Sequence, residues 1–141
     1  MQRILVICVG KLKERFYIEA AAEYQKRLSR FCKLEVVELP EVRLPDSPSP
    51  AQIEQALKKE AEAIRGKLPP ASSIVALCIE GQTRSSEELA QLLADWAQRG
   101  EKCLAFVIGS SFGLHPSIKS EAWVRLSMSP MTFPHHLARV M

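Results

Sequence analysis

The sequence comprises 141 residues, of which 47% are hydrophobic and 25% are charged, and its net charge at pH 7 is +3. This is ordinary globular usage, so a disordered chain, a collagen-like chain and a solenoid array are excluded. A chain of this length can bury one hydrophobic core but not two independent ones, and we therefore expect a single domain over residues 1–141.

Nothing in the sequence predicts a membrane segment. The longest apolar run, Ile4 to Val9, is too short to span a bilayer. No charged segment followed by a long apolar one opens the chain, so we expect neither a signal peptide nor a transmembrane helix, and a cytoplasmic location.

The four cysteines are Cys8, Cys32, Cys78 and Cys103, and no two of them have the short spacing of a zinc or redox site. We therefore expect four single thiols and no metal site. Cys8, Cys78 and Cys103 lie within apolar runs, where cysteine packs as a small hydrophobe.

Positive charge is concentrated at the beginning of the chain. Residues 1–33 contain eight Lys or Arg and three acids, a local balance of +5, so the remaining residues net −2. Clustered cations are typical of a surface that binds a polyanion such as nucleic acid, because phosphates release counterions on contact. A solvated helix face is the alternative interpretation.

The first predicted elements are two strands and a helix. A β-branched apolar run from Arg3 to Val9 predicts a strand that ends at Gly10. Apolar residues at every fourth position from Phe16 to Leu28 predict a helix that extends to Phe31. Leu34 to Leu39 predicts the second strand, and a proline-rich connector of about ten residues follows it.

The remaining chain repeats the alternation of helix and strand. Ser49, Pro50 and Gln52 form a helix start, with an N-cap serine, proline at the first helical position and a capping-box glutamine; Gly66 ends that helix. The elements expected after it are a strand at Ser73–Ile79, a helix capped by Ser85 that stops at Gly100, a strand at Cys103–Ile108 and a short strand near Val124–Met128. Because helices separate the strands, we predict an α/β fold, a parallel sheet with helices on both faces.

Ligands of such sheets bind beyond the carboxyl ends of the strands. The relevant segments here are Leu77 to Gly81, Gly109 to Pro116 and the residues after Leu126. The glycines of the second segment allow close approach to the backbone, although a plain turn explains them equally well. Small hydroxyls and two thioethers in the third segment suit a slot for a flat, partly apolar ligand such as an adenosine.

Two further features of these segments have competing interpretations. The five residues from Gly109 match G-x-S-x-G, which would make Ser111 the nucleophile of a hydrolase. Pro116 follows too soon for the helix that such a nucleophile needs, and Glu121 is the only acid after Ser111, so this is the weaker alternative.

The neighbouring His135 and His136 would point about 100° apart on a helix and cannot chelate one metal, so we expect them to pack or cap a helix start.

Four segments match one known family in order along the whole chain. They are Val9 to Glu14, Ala22 to Leu28, Phe106 to Gly109 with Gly113 to His115, and Leu126-Ser127 through Met131 to His135 with Arg139-Val140. Together they resemble the large-subunit (23S) ribosomal RNA pseudouridine-N3 methyltransferase H family, which belongs to the SPOUT methyltransferases.

The resemblance implies a homodimeric enzyme that uses S-adenosyl-L-methionine to methylate N3 of a pseudouridine in 23S rRNA, within the 70S ribosome or the large subunit. It also implies a C-terminal trefoil knot whose loops hold the cofactor. RNA contact would fall on Lys11, Lys13 and Arg15, and no catalytic residue is assigned. The implied cofactor contacts are Leu77, Gly109, Met128, Ser129, Pro130, Met131, Thr132 and Phe133.

Two departures from the family pattern affect these expectations. Ser110 replaces the second of two glycines and adds a side chain where the backbone should lie close to the ligand. Family members continue past Met141 into a tail associated with substrate and catalysis. Closure of the knot is therefore left open, and we expect weak cofactor binding, altered dimerisation and no methyl transfer if that tail is required. A dimeric, non-catalytic cofactor-binding module is the corresponding alternative function.

Overall fold

A computed structural model describes residues 2–141, which form one parallel sheet flanked by helices. The strands are β1 (Gln2–Val9), β2 (Cys32–Leu39), β3 (Ser72–Thr83), β4 (Cys103–Ile108) and β5 (Val124–Ser127). The helices are α1 (Arg15–Leu28), α2 (Pro50–Lys67), α3 (Ser86–Ala97), α4 (Pro116–Glu121) and α5 (His135–Ala138). The strand order is β2-β1-β4-β3-β5, and every pairing is parallel. The predicted α/β class is confirmed.

The two faces of the sheet are covered unequally. On one face, Ile64 of α2 and Ile118 of α4 are buried against Leu5, Ile7 and Val107 of the central strands. Each such side chain contributes roughly 1.5–3 kcal/mol by leaving water. This face therefore holds the larger part of the core.

On the other face, α3 packs Trp96 against Val75 and Leu104, and the indole N–H of Trp96 donates to the Ser73 hydroxyl at 3.0 Å. Helix α1 lies on the same side but has no buried residue. A groove of about 450 Å³ remains between α1 and α3, with Phe106 among its walls. We call this the α1 groove.

The predicted helix starts are confirmed. The Ser49 hydroxyl accepts the Gln52 N–H at 3.2 Å, and the Gln52 side chain accepts the Ser49 N–H at 2.8 Å, which completes the capping box. The Ser85 hydroxyl accepts the Glu88 N–H at 3.1 Å. Helix α2 continues to Lys67, one residue beyond its predicted end at Gly66.

The prediction that the first helix extends to Phe31 is wrong. Helix α1 ends at Leu28, because Cys32 already pairs with Gln2 in the sheet and the chain must turn before that point. Strand β3 is longer than predicted and runs to Thr83, since its pairing with β5 resumes at Gln82 after a register shift at Leu77.

The cysteines are free thiols, as predicted. Cys8, Cys32 and Cys103 are buried, and burial raises the pKa of Cys8 to about 11. Cys78 is half-buried. These surroundings disfavour the thiolate, so the buried cysteines act as small apolar side chains.

The last segment of the chain crosses the sheet at the carboxyl ends of the strands. It leaves β5 at one edge, passes the ends of β3 and β4, and reaches β1, where Arg139 donates to the Gly10 carbonyl at 3.3 Å. The trefoil knot stays a prediction, since this path describes a crossing rather than a threading.

No helix within residues 2–141 is long and apolar enough to cross a bilayer.

Candidate functional site

A cavity of about 670 Å³ lies at the carboxyl ends of β3 and β4. This volume is within the range of cofactor sites, and the position is the one that the sheet topology favours for a ligand. The end of β3, the loop after β4 and the segment after β5 form its walls. These are the three segments singled out from the sequence.

The cavity brings together most of the residues predicted to contact a cofactor. Its lining includes Leu77, Gly109, Met128, Ser129, Met131, Thr132 and Phe133. Pro130 is not part of the lining. The structure therefore groups these residues at one place, and their contact with a cofactor stays a prediction.

The loop after β4 closes on itself tightly at Gly109. A Cβ atom there would lie 2.3 Å from the Gly113 carbonyl oxygen, and the Gly113 N–H donates to the Ser110 carbonyl at 2.9 Å. Gly113 has a φ of +83°, in the region that favours glycine. The glycines are thus required by the loop itself, and a side chain at Gly109 would distort the loop whether or not a ligand binds.

Ser110 uses its side chain within the protein. It is buried, and its hydroxyl accepts the Phe112 N–H at 3.3 Å. The hydroxyl also approaches the buried carboxyl of Glu60 on α2, which accepts the Val42 N–H at 3.1 Å. Burial raises the pKa of Glu60, and the hydrogen bond from the Val42 N–H and the nearby Ser110 hydroxyl offset only part of that effect; the other carboxylate oxygen, Oε1, has no hydrogen-bond partner among the described residues. The extra side chain therefore lies beside α2 and packs within the protein.

An ion pair between Glu80 and Lys119 lies in the cavity wall. The hydrogen bond from Lys119 is the main cause that lowers the pKa of the Glu80 carboxyl. Lys119 belongs to α4, a helix missing from the sequence prediction, although Pro116 at its first position and the His115 N-cap signal its start. The pair gives this wall fixed charges of both signs.

His135 is the first residue of α5 and lines the cavity. Its Nε2 atom is buried and makes no hydrogen bond with the described part of the chain. Burial, together with the neighbouring His136 and Arg139, lowers the pKa of the His135 ring, while Glu41 raises it. The lowered pKa favours the neutral form of the imidazole.

Of the basic residues predicted to contact RNA, Lys11 and Lys13 lie on the loop between β1 and α1, and Arg15 is the first residue of α1. The side chains of Lys11, Lys13 and Arg15 are exposed. Arg15 pairs with Glu19 at 2.8 Å, which neutralises part of its charge. Lys11 and Lys13 are thus the stronger candidates for phosphate contact on this loop.

The hydrolase interpretation of Ser111 is wrong. Within residues 2–141, no hydrogen bond joins the exposed Ser111 to a histidine; His115 instead contacts Ser117 at 2.7 Å and Glu54 at 2.8 Å. Helix α4 begins at Pro116, too far along the chain to support a nucleophile at Ser111. The arrangement lacks the nucleophile–base contact that acyl transfer requires.

Comparison with known proteins gives one consistent result. A family model described as "Predicted SPOUT methyltransferase" matches residues 2–141. A protein of Streptococcus equi subsp. zooepidemicus (strain MGCS10565), named "Ribosomal RNA large subunit methyltransferase H", is 44% identical over 138 residues, which cover 98% of this chain and 87% of the relative. Proteins of the same name from Streptococcus suis (strain 05ZYH33) and Streptococcus uberis (strain ATCC BAA-854 / 0140J) are 44% and 41% identical over the same shares.

Proposed function

The chain belongs to the SPOUT methyltransferase family, and we propose that it transfers a methyl group from S-adenosyl-L-methionine to N3 of a pseudouridine in 23S rRNA. The observation that carries this proposal is the cavity at the carboxyl ends of β3 and β4. It occurs in a chain that is similar over 98% of its length to relatives named as ribosomal RNA large subunit methyltransferases.

The residues of the cavity fit this cofactor. Leu77, Leu114 and Phe133 offer apolar surface for a flat adenine ring, and Ser129 and Thr132 offer hydroxyls beside exposed backbone. S-adenosylmethionine supplies an electrophilic methyl group carried on a sulfonium. The chain's contribution is to exclude water and to hold donor and acceptor in line.

The N3 proton of the base must leave during the reaction. His135 is the neutral histidine of the cavity wall, and its buried Nε2 lacks a partner among the described residues. The burial that closes this atom off from a ligand also makes the imidazole a weaker base, so His135 does not meet the requirements of a general base. We therefore assign no residue as the base.

The proposal includes RNA contact by the loop of Lys11 and Lys13 and a homodimer. Exposed cations next to the end of β1 would position the RNA backbone near the cavity. The exposed apolar residues of α1 and the α1 groove are of the kind that mark protein–protein interfaces. A second copy of the chain is the partner that we propose for this surface.

The cofactor site is tested by calorimetry with S-adenosylhomocysteine, the reaction product. Thr132 is exposed in the cavity lining, so Thr132→Trp should fill the cavity without disturbing the core. We expect binding to the wild type and to Thr83→Trp, the same change at an exposed position outside the lining, and loss of binding in Thr132→Trp. Equal affinity in all three proteins would contradict the placement of the cofactor.

A further inference from the structure

Arg139 follows α5 and is held by two other segments of the chain. Only 6% of its side chain is exposed. Its Nη1 donates to the Gly10 carbonyl at 3.3 Å, and its Nη2 donates to Glu38 Oε2 at 2.9 Å. Because a buried guanidinium is costly unless it is paired, these two contacts determine where the segment after α5 lies.

The same carboxylate oxygen of Glu38 holds the loop between β1 and α1. It accepts the Leu12 N–H at 3.0 Å. Leu12 is buried, whereas its neighbours Lys11 and Lys13 are exposed. One oxygen atom at the end of β2 therefore joins the lysine-bearing loop to the segment after α5.

Helix α5 is at the same time part of the cavity wall. His135 and Ala138 line the cavity, and His136 lies 3.9 Å from Glu14 just before α1. The helix has only four residues, and none of them is fully buried. A helix this short is not stable alone, so its order depends on its contacts with the rest of the chain and with any ligand of the cavity.

We infer that Glu38 and Arg139 form a positioning pair that couples occupancy of the cavity to the conformation of the loop of Lys11 and Lys13. Neither residue lines the cavity, so both act through other groups. A ligand that orders α5 fixes Arg139, and Arg139 fixes the Glu38 carboxylate that binds Leu12. The inference rests on the proposed function, in which the cavity holds the cofactor and the loop contacts RNA. The coupling is reciprocal: the factor by which bound cofactor strengthens RNA binding is also the factor by which bound RNA strengthens cofactor binding.

Amide hydrogen exchange, followed residue by residue by NMR, tests the coupling. Addition of S-adenosylhomocysteine should raise the protection of the Leu12 amide in the wild type but not in Arg139→Gln. The matched control is Glu35→Gln, which makes the same change of charge as Glu38→Gln on the same strand, at an exposed pair with Arg3. This control should behave like the wild type.

Calorimetry supplies the second readout. We expect Arg139→Gln and Glu38→Gln each to weaken S-adenosylhomocysteine binding by roughly 2- to 30-fold, and the double variant to bind no more weakly than the weaker single one. Arg139→Lys, which keeps the charge but has fewer donors, should recover part of the affinity. If Arg139→Gln fails to fold, Arg139→Lys takes its place in both readouts, with a smaller expected loss.

Multiplicative losses in the double variant, or an unchanged Leu12 amide when the wild type binds ligand, would overturn the coupling. If the wild type binds no S-adenosylhomocysteine, the proposed cofactor fails and the unliganded proteins decide the coupling instead. Lower protection of Leu12 in Arg139→Gln than in Glu35→Gln then supports a link between α5 and the loop. Equal protection in the two variants refutes it.

Discussion

Glu38 and Glu60 are carboxyl groups whose surroundings act in opposite directions. Burial alone would raise the pKa of Glu38, but the Leu12 N–H and the Arg139 guanidinium outweigh it and hold the pKa below the usual 4.5. For Glu60, burial dominates and raises the pKa, and the nearby Glu41 adds to that effect. The fold therefore favours the anion at Glu38 and the neutral acid at Glu60.

This difference predicts opposite effects of the same substitution. A lowered folded-state pKa stabilises the fold above the unfolded pKa, and this stabilisation is lost as the pH falls through the folded value. Glu38→Gln should therefore cost about 1 kcal/mol at pH 7, the net contribution of hydrogen bonds to a partly exposed charge, and progressively less below pH 4.5.

A raised folded-state pKa has the reverse consequence, since stability falls as the pH rises above the unfolded value. Glu60→Gln should therefore match or exceed the wild type in stability at pH 7, because the amide removes a buried negative charge and its oxygen can still accept the Val42 N–H. The advantage should disappear in acid. Urea unfolding at a series of pH values measures both variants, and changes of the same sign at pH 7 would contradict this description of the two carboxyls.

At the scale of elements, the absence of a side chain at Gly81 allows β3 and β5 to approach each other closely. A Cβ at Gly81 would lie 2.8 Å from backbone carbons of Arg125 and Leu126 on β5, whereas one at Gly66 in α2 would meet nothing within 4 Å. Gly81→Ala should therefore destabilise the protein by about 1–3 kcal/mol. Gly66→Ala should stabilise it by up to about 1 kcal/mol, as alanine does in a helix.

Thermal and urea unfolding of the two glycine variants check this prediction. The two sites receive the same added methyl group, but only the one at Gly81 meets backbone atoms of a neighbouring strand. A Gly81→Ala protein as stable as the wild type would mean that β5 does not pass β3 as closely as described.

The loop between β1 and α1 carries a separate prediction. If Lys11 and Lys13 contact phosphates, replacing both with glutamate should weaken binding to large-subunit particles and reduce the slope of log affinity against log salt by about 1.5. Affinity for S-adenosylhomocysteine should change less than RNA affinity. The control replaces Lys58 and Lys59, two exposed lysines of α2, in the same way. If the slope of log affinity against log salt is equal for both double variants, the loop is a solvated surface that does not contact phosphates.

The elements also show which features local sequence can predict. The capping box at Ser49, the cap at Ser85 and the strand Cys103–Ile108 depend on neighbours along the chain, and they were predicted correctly. The longer β3 depends on a register shift against β5, which no local pattern encodes. The end of α1 likewise follows from the pairing of Cys32 with Gln2.

The cavity was predictable in part, because the alternation of strands and helices along the chain determines which loops meet. Parallel strands place the loops after β3, β4 and β5 at one edge of the sheet, so seven of the proposed contacts come together there. Lys119 and Glu60 were missed, because their proximity to those loops arises from how α4 and α2 pack on the sheet.

For the whole molecule, the uncovered face beside α1 predicts self-association. Phe31 is 74% exposed at the α1 groove, and Phe16 is 65% exposed on α1 outside that groove. Phe31→Asp should weaken dimerisation by about tenfold or more with little effect on the stability of the monomer, because it is a large apolar contact at the proposed interface. Phe16→Asp should have a smaller effect.

Sedimentation at several protein concentrations measures both phenylalanine variants against the wild type. A wild type that stays monomeric at every concentration would exclude the proposed homodimer. Dimerisation that is equally strong in Phe31→Asp would place the interface away from the α1 groove.

Methyl transfer into ribosomal RNA tests the proposed function most directly. The protein is incubated with S-adenosylmethionine and with large subunits or 70S ribosomes that lack the modification, and the digested 23S rRNA is analysed by mass spectrometry. We predict one added methyl group on N3 of a pseudouridine with the wild type and with Thr83→Trp, and none with Thr132→Trp. Absence of the methyl group in a wild type that binds S-adenosylhomocysteine would contradict the enzyme and favour the cofactor-binding module, and equal transfer by Thr132→Trp would contradict the site.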